Sequence, residues 1–123
     1  MIILEEIQKA LESVSDLPVY YGKTFASEND KQNYIVFNRR NVSKSGKNNC
    51  DYNYYYQVHI IHENYIPEGF EYNVIAAMED IPGVKLTTDT HNYQYVMLNN
   101  TDKVVELLTL TFTKTVRGCK LNG

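Results

Sequence analysis

The sequence predicts an α+β domain: an antiparallel sheet with two helices packed on one face, in the order α-β-β-β-α-β-β-β. Three observations carry this. First, Tyr52-Asn53-Tyr54-Tyr55-Tyr56-Gln57-Val58-His59-Ile60-Ile61-His62 alternates with a period of two residues. Tyr52, Tyr54, Tyr56, Val58 and Ile60 fall on one face, and Asn53, Tyr55, Gln57, His59 and Ile61 on the other. Aromatic and β-branched residues suit a pleated, half-buried surface, so this is read as a long central strand. Second, Val104 to Val116 splits in the same way. Val104, Leu108, Leu110 and Phe112 face one side, and Thr109, Thr111, Thr113 and Thr115 the other. That split predicts one buried face and one that is exposed or covered by polar contacts. Third, two stretches carry apolar residues at helical spacing, and segregated strands with two amphipathic helices place both helices on one face of the sheet.

The first helical stretch has Ile3, Leu4, Ile7, Leu11 and Val14 on one side, with Glu5, Glu6, Gln8, Lys9 and Glu12 opposite. It spans about four turns. Its early acids suit the positive end of the helix dipole, and Pro18 bars its extension. Pro18 to Gly22 reads as a short edge strand, and Thr24 to Gln32 as a loop. Asn33 to Asn41, with Tyr34-Ile35-Val36-Phe37, reads as a second strand. Val42 to Asn49 is polar and predicts the connection of an extended hairpin. The second helix runs from Pro67 or Glu68 to about Asp80. Phe70, Val74, Ala77, Met78 and Ile81 form its stripe, and Pro67 suits a first-turn position. Val84-Lys85-Leu86-Thr87 and Tyr93-Gln94-Tyr95-Val96-Met97-Leu98 follow as strands. Asn99 to Asp102 is a turn by residue type. Residues 1–116 are expected to form one domain and 117–123 a flexible tail, as 123 residues suit a single core.

Composition narrows the function classes. The net charge of −3 supplies no global drive toward nucleic acid or acidic membrane, and no apolar run approaches the ~20 residues that span a bilayer. The N-terminus lacks the basic and apolar regions of a signal peptide, so the expectation is an intracellular protein with Cys50 and Cys119 reduced. Eleven tyrosines and no tryptophan suit either an amphipathic sheet or faces covered by another chain. Charge is uneven: Lys31, Arg39, Arg40, Lys44 and Lys47 lie in a stretch without acids. On a projecting hairpin, Arg39, Arg40, Lys44 and Lys47 could meet phosphates or an acidic protein surface, or blunt the strand edge against aggregation.

No catalytic constellation emerges. The glycines are isolated, no GxSxG occurs, and neither cysteine has a catalytic or zinc spacing. His59 and His62, three apart in a strand, point to opposite faces. A metal site would need a distant partner such as His91, and a histidine hydrogen-bonded within the sheet is the expected role. No cofactor or metal is expected.

The order of elements, with Leu17-Pro18-Val19-Tyr20-Tyr21-Gly22, Asn33-Tyr34-Ile35-Val36-Phe37, Tyr54-Tyr55-Tyr56-Gln57-Val58-His59-Ile60, Ile81-Pro82-Gly83 and a final strand from Glu106 to Lys114, resembles the tail-completion (tail-terminator) proteins of long-tailed bacteriophages and prophages. The resemblance covers residues 1–116 and lies in element order and size. It implies a non-enzymatic virion protein, assembled in the bacterial host cytoplasm. Such a protein would act as a ring, typically a hexamer, that caps the tail tube and meets the head-connector or neck proteins. In such a ring, Tyr55, Tyr93 or the threonine face of Thr109, Thr111 and Thr113 would be covered by a neighbour. Lys44 and Lys47 would repeat around the axis, against passing DNA or an acidic surface. The alternative readings are a small nucleic-acid-binding module using the basic hairpin with exposed tyrosines and, behind it, a metal-dependent enzyme using the histidines.

Overall fold

The computed structural model describes residues 3–22, 33–44, 51–97 and 103–117. Its elements are α1 (Ile3–Glu12), β1 (Val19–Tyr21), β2 (Tyr34–Lys44), β3 (Asp51–Glu63), α2 (Phe70–Glu79), β4 (Val84–Leu86), β5 (Tyr93–Met97) and β6 (Val104–Arg117). The α+β class and the element order are as the sequence predicts. The expected loop at 24–32, the turn at 99–102, the tail beyond Arg117, and Lys47, Cys50 and Cys119 lie outside the described residues.

β3 is the axis of the sheet. It pairs antiparallel with β2 on one side, from Tyr34↔Ile61 to Lys44↔Tyr52. On the other side it pairs with β6 from Asp51↔Arg117 to Glu63↔Val105. The strand order is β1-β2-β3-β6-β4, and β5 also pairs with β6. β4 takes the Phe112–Lys114 part of the outer edge of β6, and β5 takes Val104–Leu108. One long strand thus carries two short ones end to end.

The sheet is mixed, a correction to the antiparallel expectation. β1 runs parallel to β2, pairing Val19↔Ile35 to Tyr21↔Phe37. Entering from α1, the chain reaches β2 after the intervening segment and so can lay β1 alongside it in the same direction. The remaining edge of β2, beyond Phe37, has no strand partner among the described residues.

The alternating faces behave as their periodicity requires. Ile35, Phe37, Tyr56, Val58, Ile60, Leu108, Leu110 and Phe112 turn toward the helices and join Ile7 and Leu11 of α1 and Val74 and Met78 of α2 in one core. α1 lies toward β1, where Gln8 Nε2 donates to the Val19 carbonyl at 3.3 Å, and α2 lies toward β4. The helices are shorter than expected. α1 ends at Glu12, about three turns. α2 begins at Phe70 behind Gly69, which takes the left-handed conformation (φ 87°) as N-cap. Pro67 therefore precedes the helix, where its carbonyl accepts from the Phe70 amide at 3.0 Å. A second, smaller apolar cluster of Tyr34, Val36, Ile61 and Val105 is buried on the opposite face.

Two irregularities decide where polar side chains go. The register of β2 shifts between Arg39 and Asn41. Arg39 stands opposite Tyr56 on the helix face, and after the bulge the even residues Val42 and Lys44 take that face in place of the odd ones. Glu106, which breaks the apolar face of β6 in the sequence, is nearly buried, and its Oε1 accepts from the Ile66 amide at 2.8 Å. It supplies the partner that this irregular segment between β3 and α2 finds in no strand.

Phe112 is fully buried at the centre of the core, whereas Tyr72 on α2 is 71% exposed. Phe112→Ala should cost ~3–5 kcal/mol in urea unfolding, and Tyr72→Ala no more than ~0.5 kcal/mol. Similar losses from both would contradict this placement.

Candidate functional site

The residues singled out from the sequence are distributed over two faces of the sheet. On the face away from the helices, β3 and β6 align Tyr55 with Thr113, Gln57 with Thr111, and His59 with Thr109. His59 is at the centre of a hydrogen-bonded seam. Its Nε2 lies 2.7 Å from Asn38 Oδ1 and its Nδ1 2.8 Å from Thr109 Oγ1. The Asn38 amide nitrogen donates to the Arg39 carbonyl at 3.1 Å and to Gln57 Oε1 at 3.2 Å. This orientation leaves Asn38 Oδ1 as acceptor, so neutral His59 carries its proton on Nε2, and Nδ1 accepts from the Thr109 hydroxyl. Burial holds the His59 pKa below its usual value of 6.5, because the imidazolium would lose its hydration.

His91 joins the same face from the connection between β4 and β5. Where neither strand reaches, the edge of β6 is closed by that connection. The Thr87 amide donates to the Thr111 carbonyl at 3.0 Å, and the Thr111 amide to His91 Nδ1 at 3.4 Å. His91 Nε2 then donates to the Thr87 carbonyl at 3.3 Å. Both ring nitrogens are engaged in holding backbone. His59, His91, Gln57 and Thr109 line a shallow concavity of about 350 Å³, with Arg40 and Asp89 at its rim, 3.8 Å apart in an exposed ion pair. His62 lies on the helix face opposite Glu106, with Nδ1 donating to the Glu63 carbonyl at 2.9 Å. Among the described residues no three His, Cys, Asp or Glu side chains converge as a metal-binding group.

The structure divides the surfaces singled out from the sequence. The threonine face is not a uniform contact patch: Thr111 is buried, and Thr109 is committed to His59. Thr113, half-buried beside Tyr55, is the one of the three with no such assignment. Tyr55 and Tyr93 do not share a surface either, because Tyr93 pairs with Leu108 and so stands on the helix face. The basic stretch divides in the same manner, with Arg39 and Lys44 on the helix face and Arg40 on the other. The sequence reading placed Lys44 in a loop; it is the last residue of β2.

Among the described residues the exposed apolar side chains gather at two places, of which the sequence named only Tyr93 and the basic residues of the hairpin. All five residues of β5 are exposed. Tyr93, Tyr95 and Met97 stand on its helix side, and Tyr93 lies near Tyr65 and Tyr72. Carboxylates lie among these rings. Tyr95 donates to Glu106, which raises its pKa, since the phenolate would lose that bond. The Tyr93 pKa is also raised, first by burial and then by the charges of Glu71 and Glu106. Between Tyr65, Tyr93, Glu68, Glu71 and Glu106 is a concavity of about 290 Å³. The second place is the far end of the β2–β3 hairpin. There Tyr21, Val42 and Tyr52 are exposed on the helix face beside Arg39 and Lys44. Arg39 partly offsets the burial that raises the Tyr56 pKa.

The seam gives a pH prediction. With the folded His59 pKa lowered, the unfolded chain binds more protons between the folded value and about 6.5. Stability should therefore be full above that range and fall as pH drops through it. Urea midpoints from pH 7.5 to 5 should decline in the wild type, and the His59→Gln variant should lose part of that slope. An unchanged slope would place the titration elsewhere.

No protein-family profile matches the chain, and no curated protein matches it. Among solved structures, one chain whose name describes no function superposes with a TM-score of 0.41 at 14% identity, covering 93% of this chain and 96% of that one.

Proposed function

We propose that the protein is a structural assembly subunit, one copy of a ring that caps a phage tail tube and offers a surface to the head connector. The observation that supports it is the aromatic corner around β5. Small domains scatter exposed apolar residues singly, whereas Tyr65, Tyr72, Tyr93, Tyr95 and Met97 collect about one edge strand, each at least 45% exposed. Contiguous surfaces of this kind, rich in tyrosine and methionine, are those that assemblies cover. The place in a virion comes from the resemblance in element order and size, with the tail-tube protein and neck proteins as partners.

The nucleic-acid reading needs a basic stripe flanking stacked rings on one face. Instead the sheet bulge sends Arg39 and Arg40 to opposite sides, and Arg40 is paired with Asp89. The histidines that an enzyme would use are occupied in holding strands and backbone.

The test is capping. Tail-tube protein from the same phage or prophage should be polymerised with and without it and imaged by electron microscopy. The expected result is shorter tubes carrying a ring at one end. The double variant Tyr72→Asp with Tyr95→Asp should fold but leave the ends bare. Unaltered tubes in the presence of excess folded wild-type protein would refute the reading.

A further inference from the structure

The two exposed patches differ in charge as well as position. The β5 corner is aromatic and acidic, with Glu68 and Glu71 among its rings. The hairpin patch is apolar and basic, with Val42, Tyr52, Arg39 and Lys44. Each supplies what the other lacks. Carboxylates and tyrosine faces attract ammonium and guanidinium groups, and the valine and tyrosine of the hairpin match the remaining apolar area.

Within one chain they cannot meet. β5 pairs with β6 at the end where β6 lies against residues 60–63 of β3, whereas Lys44 lies opposite Tyr52. Lys44, level with Tyr52, is about ten residues of strand or roughly 33 Å from Tyr95, level with His62, and Arg39, level with Tyr56, is about six residues or roughly 20 Å from it. Both patches are on the helix side of the sheet, and the β5 corner includes Tyr72 of α2. The contact is therefore left to a second copy of the chain.

We infer that the Tyr72–Tyr93–Tyr95 corner of one copy receives the Arg39–Val42–Lys44 face of the next, joining copies of this chain head to tail. Such a contact is heterologous, so it repeats into a closed ring or an open filament. It deepens the subunit reading and rests on it: it says which surface meets which, and it makes the acidic surface met by the hairpin that of a second copy. The concavity between Tyr65, Tyr93, Glu68 and Glu71 is the receiving site for the Lys44 or Arg39 side chain.

Sedimentation velocity on the full chain tests this over a concentration series at low and high salt. Wild-type protein should associate beyond a dimer and dissociate as salt screens the charges. Lys44→Glu and Glu68→Lys, both at exposed positions, should each weaken association by at least about tenfold. Mixed together, the two single variants should associate again, because the acidic hairpin of one then meets the basic corner of the other while their unaltered faces also match. The chain carrying both changes should likewise recover assembly. Wild-type protein that stays monomeric up to about 1 mM, a closed dimer indifferent to either change, or a double variant no better than the singles would overturn the inference. Head-to-tail association without tube capping would leave it standing and remove the phage reading alone.

Discussion

The structure depends on the pairing of β3 along both of its edges. Its 13 residues pair with β6 on one side, those from Tyr52 to Ile61 pair with β2 on the other, and its side chains alternate between two unlike environments. Val58 and Ile60 are fully buried under the helices, while Gln57 and His59 point the other way into a polar seam. A slip of one residue would drive the histidine and glutamine into the core and turn the valine and isoleucine out. The register is thereby fixed from both faces, and every other element takes its position from it. α1 and α2 cover the apolar side, β1 extends the sheet beyond β2, and β4 and β5 share the outer edge of β6.

The polar side of the sheet is organised by the same register. Asn38, His59 and Thr109 come from three adjacent strands and meet because those strands hold them level. Asn38 is oriented by further bonds to the Arg39 carbonyl and Gln57, and the seam ties β2, β3 and β6 together across the face away from α1 and α2. His91 completes the edge of β6 in the gap between two short strands. These are polar groups satisfied in place, and their role is to pair donors and acceptors that the sheet has taken out of water.

Departures from regularity are where the surface acquires its character. The bulge at Arg39–Asn41 rotates the end of β2, so that Val42 and Lys44 join Arg39 on the helix face while Arg40 goes to the other. The short β5, exposed on all its residues, leaves its tyrosines outside the core that its neighbour β6 builds. A basic apolar arm and an acidic aromatic corner result at diagonal ends of the domain.

The sequence by itself determined the faces. The two-residue period of Tyr52–His62 and of Val104–Val116 separates the core side from the polar side, and the spacing of Ile7, Leu11, Val74 and Met78 identifies the helices that cover it. It also pointed to His59 as a histidine bonded within the sheet. Only the tertiary structure decided the partners. The parallel pairing of β1, the division of the β6 edge between β4 and β5, the bulge that parts Arg39 from Arg40, and the bond from Ile66 to Glu106 leave no periodic trace. Alternation records how far each side chain is removed from water, a property of the residue and its immediate neighbours. Which strand lies alongside, and in which register, follows from contacts between residues distant in the chain, and those exist only once the core has closed.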